Sequence, residues 1–541
     1  MAEKTSVSKN AMESFFEKRQ DQVFYFSAAI FLILSLLSFD AKLSIGGDDA
    51  SYIVRALRFI KEGTFPTFQG PLYPIFLSPF VALFGIKVNL LKLVSVALGL
   101  AFVIMLYYSL RKRVNVVLLS LTMLYTAFNS YLIYYSSQTY NEIFHLFMEC
   151  LFIYFFFAFL EKLGDEDSNV RRDWKNWLLI GFLALLVTLS KNIGLAIALA
   201  IPLYFVLRRQ FMAAISFIAS YGILFAVYRF VRDMIWTVES PFSKQGNVFL
   251  YKDPYNFSKG KENMWGYLER LYDNTHIYLS KNLMKILHIR DTDVTSKIEL
   301  ISYIVVALMI FALLRSYKKN REIFFISLFT WITLGVTFII LQARWDSDRL
   351  VILVVPFMVL ILIYALMQIM DMVGKRFLSI AVYILLSLLL VKNLSASFKK
   401  VDILTMKKNL RGERYHGYTP DWENYLKMSE WVTENLPEGS VVGVRKQTLS
   451  IIFANSLNFH SIARVPSDDA DSLLNKLRDN HVTHIIIASL RRNPKVRSEY
   501  TINTVKRYAS IIEQKYPGTF REVYRIGGSE EARLYEIRYP K

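Results

Sequence analysis

Long apolar blocks recur along this chain, and any fold must either insert them in a bilayer or bury them. Residues 24–39, 116–133 and 379–391 are three such blocks. A membrane span needs about 20 mostly apolar residues, and many windows reach or nearly reach that length. Hydrophobic residues make up 54% of the 541, more than the roughly 45–50% of soluble domains. Tyr and Phe gather near block edges, where interfacial belts form. In order, the blocks predict about eleven transmembrane helices, near residues 22–43, 90–110, 116–134, 142–160, 176–190, 192–207, 211–231, 298–314, 322–342, 350–371 and 377–395. The first follows a polar stretch, residues 1–21, with no small-residue cleavage site after it, and reads as a retained span.

Between the first two spans the chain is too polar to be embedded at once. Residues 49–62 place Tyr52, Ile53, Ala56, Leu57 and Ile60 on one helical face, as an interfacial amphipathic helix would, with Asp48 or Asp49 as its N-cap. Residues 71–84 carry Pro71, Pro74 and Pro79 and read as a short re-entrant or interfacial helix. A polar segment, residues 236–297, contains no span.

The net charge is +19. Much of it sits in short loops between apolar blocks, a topology signal rather than a nucleic-acid footprint. Loops 111–115, 162–175, 208–210, 315–321 and 374–376 hold fifteen Lys or Arg; loops 135–141, 190–194 and 343–349 hold three. The positive-inside rule places the first set in the cytoplasm. Residues 1–21 then form a cytoplasmic tail, and residues 44–87, 236–297 and 396–541 lie outside. The localisation expected is a multi-pass cell membrane protein of the bacterial inner-membrane kind. The single cysteine, Cys150, lies in an apolar block, so no intrachain disulfide braces the outer region.

Beyond residue 395 the character changes. Residues 422–435, 470–480 and 502–515 read as helices, and 440–444 and 484–488 as strands. Residues 523–526 and 533–537 flank Gly527-Gly528 as a hairpin would. The fold class is therefore an α-helical polytopic membrane domain, residues 22–395, followed by a soluble C-terminal α/β domain, residues 396–541. That domain has no Gly-rich phosphate loop and no evident catalytic cluster.

The expected outer face gathers Asp48, Asp49, Glu142, Lys191, Arg344, Asp346, Asp348 and Arg349. Ionisable residues at membrane depth are costly and point to function. A carboxylate can take a proton from an acceptor hydroxyl or amine, while Arg and Lys can hold a phosphate leaving group. Outside the membrane there are no nucleotide sugars, so a glycosyl donor there would be a lipid-linked sugar phosphate.

At these residues the sequence resembles a family. Gly47-Asp48-Asp49-Ala50-Ser51-Tyr52, then Gly70-Pro71-Leu72-Tyr73-Pro74 and Leu83-Phe84-Gly85, is similar to the first outer loop of the GT-C glycosyltransferases, in the branch of protein O-mannosyltransferases and aminoarabinose transferases. The resemblance spans about residues 20–395. It implies a GT-C-like fold and a polyprenyl-phosphate-linked sugar donor. The acceptor implied is a glycan, lipid or protein, reached with inversion beside membrane lipid and without nucleic acid. It implies Asp48 as catalytic base, with Asp49 where the family often has Glu. Glu142, in Thr139-Tyr140-Asn141-Glu142, matches a second acidic position and would position the acceptor or assist Asp48. Asp49 and Tyr52 would contact substrate. Lys191 matches a recurrent Lys and, with Arg344 and Arg349, would bind the donor phosphate. Arg344-Trp345 followed by Pro356 resembles a late Arg-Tyr…Pro pattern, with Trp in place of Tyr. No metal is required by this picture and no His/Cys cluster has ligand spacing, though carboxylates are able to hold a divalent cation.

Each residue also has a purely structural reading. Asp48 and Asp49 would cap the interfacial helix; Glu142 would sit at a favourable helix N-terminus; Lys191 would snorkel. Arg344 and Arg349 would pair with Asp346 and Asp348 in a solvated loop, and His145 would be a packing residue. The rival function is a transporter or flippase of lipid-linked sugars, which calls for inverted repeats or paired broken helices. One short pair, around Lys191, is present.

Overall fold

The structure is a computed structural model and describes residues 11–163, 173–237, 241–253, 259–291, 296–462, 469–492, 501–528 and 530–540. The first ten residues of the expected tail, and residues 164–172 of one expected inner loop, lie outside them. The chain forms two units. One comprises Met1–Phe39, Gly63–Phe76 and Lys92–Asp402; the other comprises Asp40–Glu62, Leu77–Leu91 and Ile403–Lys541.

Eight helices among the described residues are long and apolar enough to cross a membrane, and a bent pair, Val116–Phe128 and Ser130–Ser136, makes up to nine. Three further apolar helices, Leu72–Phe84, Trp174–Ser190 and Asn192–Leu207, are shorter; the first is the short helix expected at 71–84. Helices stand at each of the eleven expected positions, but those at 176–190 and 192–207 fall short of a full span, so eight or nine are of membrane length among the described residues. The chain is a multi-pass membrane protein.

The first helix starts earlier than expected, at Ala11, and bends at Arg19. The block read as one span, 116–134, is two helices bent by 60°. Asn129 causes the break: its side chain accepts from the Tyr131 and Leu132 amides, 3.1 Å each, and so caps a new helix inside an apolar run. Its amide nitrogen donates to the Ile286 carbonyl at 2.8 Å. Among its described residues the long segment 236–297 holds no span; it contains helices Pro241–Leu250 and Met264–His276 and a π-helical turn, Ile277–Asn282.

Aromatic packing ties the bundle together. Phe156 lies 4.6 Å from Phe325 and 6.1 Å from both Tyr204 and Phe205, ring centre to ring centre. In lipid, apolar burial gives little drive between helices, so such contacts carry the association, each worth about 0.5–1.5 kcal/mol. Polar contacts join loops that fall in the same charge-sorted set. In one set Asn320 donates to the Arg113 carbonyl at 2.8 Å and Arg208 to the Tyr317 carbonyl at 3.1 Å. In the other, residues from 135–141, 190–194 and 343–349 converge.

The second unit is built on a five-stranded sheet in the order β2-β1-β3-β7-β6. Its strands are β1 (Val442–Val444), β2 (Phe459–Ser461), β3 (His484–Ala488), β6 (Phe520–Ile526) and β7 (Ala532–Ile537); a separate pair is β4 (Leu490–Arg491) with β5 (Thr501–Ile502). β1 runs parallel to β2 and β3, whereas β7 runs antiparallel to β3 and β6. The β6–β7 pair is the expected hairpin, turning at Gly527 with φ +90°. Leu473, Leu477, Val505, Tyr508 and Ile512 of helices Ala470–Asp479 and Thr504–Lys515 pack with Ile485. Helix Pro420–Asn435 buries Trp422, Tyr425 and Leu426. The amphipathic helix read at 49–62 is observed as Asp48–Glu62 and belongs to this unit.

Candidate active site

In the membrane unit, a buried carboxylate organises the converging loops. Glu142 stands in the first turn of helix Asn141–Leu163 and is 1% exposed. Its Oε1 accepts from Lys191 Nζ at 2.8 Å and from Arg349 Nε and Nη2 at 3.0 and 2.9 Å. Its Oε2 is buried with no hydrogen-bond partner among the described residues. The Arg349 guanidinium also lies 4.5 Å from the centre of the Tyr140 ring. Two cations converge on one carboxylate oxygen, and charge-assisted donors of this kind suit a phosphate.

The backbone explains why Lys191 reaches this point. Helix Trp174–Ser190 ends there, and Lys191 is extended, with φ −157° and ψ 145°, before a 3-10 turn. Asn141 Nδ2 holds the turn through the Ser190 carbonyl at 2.6 Å. His145 Nδ1 lies 2.6 Å from Ser190 Oγ, and His145 Nε2 lies 3.1 Å from Glu149 Oε1. His145 thus braces the Lys191 turn from inside the bundle.

Gly70 approaches the same turn. Its φ is +95°, and a Cβ there would sit 2.4 Å from the Ser190 carbonyl oxygen and 2.9 Å from that of Leu189. Gly63 also has positive φ, +63°, but has open space around it. Gly63→Ala should therefore cost about 1–2 kcal/mol of backbone strain. Gly70→Ala should displace the Lys191 turn and abolish activity at equal expression. Thermal unfolding and transfer assays on the two variants check this; equal behaviour would show that the close approach is not needed.

The late loop divides its charges. Asp346 adopts the left-handed conformation, φ 38° and ψ 56°. It pairs with Lys281 and accepts from Asn282 Nδ2 at 3.1 Å. Arg349 turns to Glu142, 207 residues earlier in sequence. Arg344 lies in the 3-10 turn Ala343–Trp345, and its side chain is outside what the structure describes. Burial pushes the Asp348 carboxyl up, with Lys400 and Lys285 opposing. Burial brings Lys400 down to about 8, against the pull of Asp348, and its ammonium lies 4.1 Å from the centre of the Tyr131 ring. His288 is lowered to about 4 by burial and then by Lys400 and Lys392. The sequence reading missed Tyr140, Lys281, Lys285 and Lys400. A usable signal was the spacing of Lys281 and Lys285, four apart on one helix face.

In the second unit, Asp48 opens the helix Asp48–Glu62 and is half-buried. Asp49 is fully buried and serves the loop itself: Oδ2 accepts from the Ser44 amide at 2.7 Å, and Oδ1 from Ser44 Oγ at 2.7 Å and the Ala50 amide at 2.8 Å. Gly47, with φ +81°, makes the turn, and its carbonyl accepts from Ser51 Oγ at 2.8 Å. Tyr52 is fully buried, with the Arg55 guanidinium 5.4 Å from its ring centre. Among the described residues, no group of three or more His, Cys, Asp or Glu gathers to hold a metal ion.

These features define a class of fold. The chain has the GT-C fold of membrane glycosyltransferases. ArnT from Cupriavidus metallidurans bound to undecaprenyl phosphate is similar over 94% of this chain and 97% of its own, with TM-score 0.54 and 12% identity. The Archaeoglobus fulgidus oligosaccharyltransferase complexed with Zn and sulfate is similar over 86% of this chain and 67% of its own, with TM-score 0.52 and 14% identity. The oligosaccharyltransferase AglB of that organism, with an inhibitory peptide and a dolichol-phosphate, is similar over 97% of this chain and 75% of its own, with TM-score 0.54 and 12% identity. No family profile and no curated protein matches the sequence.

Proposed function

We propose that this chain is a membrane glycosyltransferase. It transfers a sugar from a polyprenyl-phosphate donor to a glycan, lipid or protein acceptor on the extracytoplasmic face. The observation that carries this reading is the buried Glu142 holding Lys191 and Arg349 together in a chain of this fold. The acceptor hydroxyl or amine attacks the anomeric carbon as the bond to the phosphate oxygen breaks. The sugar inverts and the polyprenyl phosphate departs. Lys191 and Arg349, with Arg344, hold the charge that develops on the leaving phosphate. Asp48 takes the acceptor proton. The hydrogen bonds to Glu142 fix the cations before substrate arrives, so little reorganisation is needed at the moment of reaction. No step is routed through a metal. The reading places the protein in a bacterial inner membrane with residues 396–541 outside.

Reconstitution in liposomes with radiolabelled undecaprenyl-phosphate hexoses and pentoses, and envelope lipids, glycans and proteins as acceptors, tests the reading. Transfer to an acceptor supports it; movement of donor across the bilayer without transfer replaces it with a flippase. Lys191→Met and Arg349→Met should each raise the Kd for undecaprenyl phosphate about 10- to 100-fold, the scale of one or two charged hydrogen bonds. Unchanged Kd values in both variants would remove these residues from the donor site.

A further inference from the structure

The second unit holds more of the first outer loop than folding of a hairpin between spans requires. Lys446 Nζ donates to the Gly46 carbonyl at 3.0 Å, and Thr448 Oγ1 to the Gly47 carbonyl at 3.4 Å. A Cβ on Gly47 would lie 3.2 Å from Thr448 Oγ1, so the turn before Asp48 is fitted against helix Gln447–Ala454. Further back the loop is fastened at three more points. The Ala41 amide donates to Asn409 Oδ1 at 2.8 Å, the Leu43 amide to the Tyr418 hydroxyl at 2.8 Å, and Lys42 Nζ to the Gly417 carbonyl at 3.3 Å. The charged groups facing the Lys446 ammonium are Asp48 and Asp49, and on its own side Arg445 and Arg492. The Lys446 amide is fixed in turn by the Tyr425 hydroxyl at 3.1 Å.

We propose that Lys446 is a positioning residue of the transfer site: its ammonium, hydrogen-bonded to Gly46 beside Asp48, holds the Gly46–Asp48 turn so that the Asp48 carboxylate is presented to the acceptor. The C-terminal domain is then part of the catalytic apparatus rather than an appendage. This inference rests on the reading of Asp48 as base. A cation at this point does two things. It pulls the Gly46 carbonyl, fixing the peptide that leads into the helix, and it gives the carboxylate a nearby electrostatic partner. Burial, then Arg445, brings Lys446 down to about 8, with Asp48 and Asp49 opposing. The charge is therefore present below pH 8 and lost as pH rises through it.

The test compares wild type, Lys446→Met, Lys446→Arg and Asp48→Asn in the liposome transfer assay, from about pH 6 to about pH 10. Lys446→Met should lower kcat about 10- to 100-fold, the cost of an ångström-scale misplacement, with the donor KM unchanged within about twofold. Wild-type kcat should fall as pH rises through about 8. Lys446→Arg should keep kcat and carry that fall to higher pH, because guanidinium stays charged. Full activity in Lys446→Met, or a fall at the wild-type pH in Lys446→Arg, overturns the inference. The second arm decides the matter if Lys446→Met does not fold. An inactive Asp48→Asn beside a fully active Lys446→Met removes this inference alone. Full turnover in Asp48→Asn, or no transfer from any donor by wild type, removes the reading of the site and this inference with it.

Discussion

Asp48→Asn is expected to lower kcat roughly 10²- to 10⁴-fold, the usual contribution of a positioned general base. The amide keeps the shape of the side chain and its place at the head of helix Asp48–Glu62. It loses only the capacity to accept a proton. Binding of undecaprenyl phosphate should therefore stay within about twofold of wild type, since the proposed phosphate donors are elsewhere in sequence. An Asp49→Asn variant provides the contrast. Asp49 spends both oxygens on Ser44 and Ala50, so its replacement should lower stability along with activity. Single-turnover sugar transfer, measured beside thermal unfolding, separates the two. If Asp48→Asn turns over at the wild-type rate, Asp48 is not the base.

Glu142→Gln should be the most destabilising of the polar substitutions, at roughly 3 kcal/mol. Glu142 is 1% exposed, and its cationic partners Lys191 and Arg349 are 14% and 22% exposed. Removing the carboxylate charge leaves two cations facing each other where water is scarce. A neutral amide oxygen can still accept their hydrogen bonds but cannot offset their repulsion. Adding Lys191→Met to Glu142→Gln should then restore stability, with a coupling of about 1 kcal/mol or more between the two sites. Denaturant or thermal unfolding of the four members of the cycle in nanodiscs reads this directly. Strictly additive losses would mean that Lys191 and Glu142 do not depend on one another.

The parts legible in the sequence were those written in local pattern. Apolar block length marked the spans, and charge asymmetry sorted the loops into two sets, members of which meet around Asn320 and around Glu142. Period and turn residues located β3, the β6–β7 hairpin and the helix after Asp48. Local pattern failed at three places. Asn129 interrupts an apolar run, and the run length hid the helix cap inside it. Helix Gln447–Ala454 mixes β-branched and small residues, so its propensity is weak and its helicity comes from packing against helix Pro420–Asn435. The pairing of Glu142 with Arg349 joins residues 207 apart, a partnership that no window of sequence encodes. The candidate residues themselves were visible as charge at span ends. What stayed hidden was which charge answers which.

The fastening of the first loop bears on how the protein is made. Ala41, Leu43, Gly46 and Gly47 are held by residues 368 to 401 positions later in the chain. At about 5–20 residues per second, the ribosome completes those partners roughly 20–80 s after the loop itself is synthesised. Until then the Gly46–Gly47 turn lacks its anchors, although the spans on either side are already inserted. If transfer needs that turn held, as proposed above, a nascent chain of this kind is dormant through almost all of its own translation. On the proposal made for Lys446, it matures only when its last-made domain has folded, so a ribosome that stalls late would leave an inert protein.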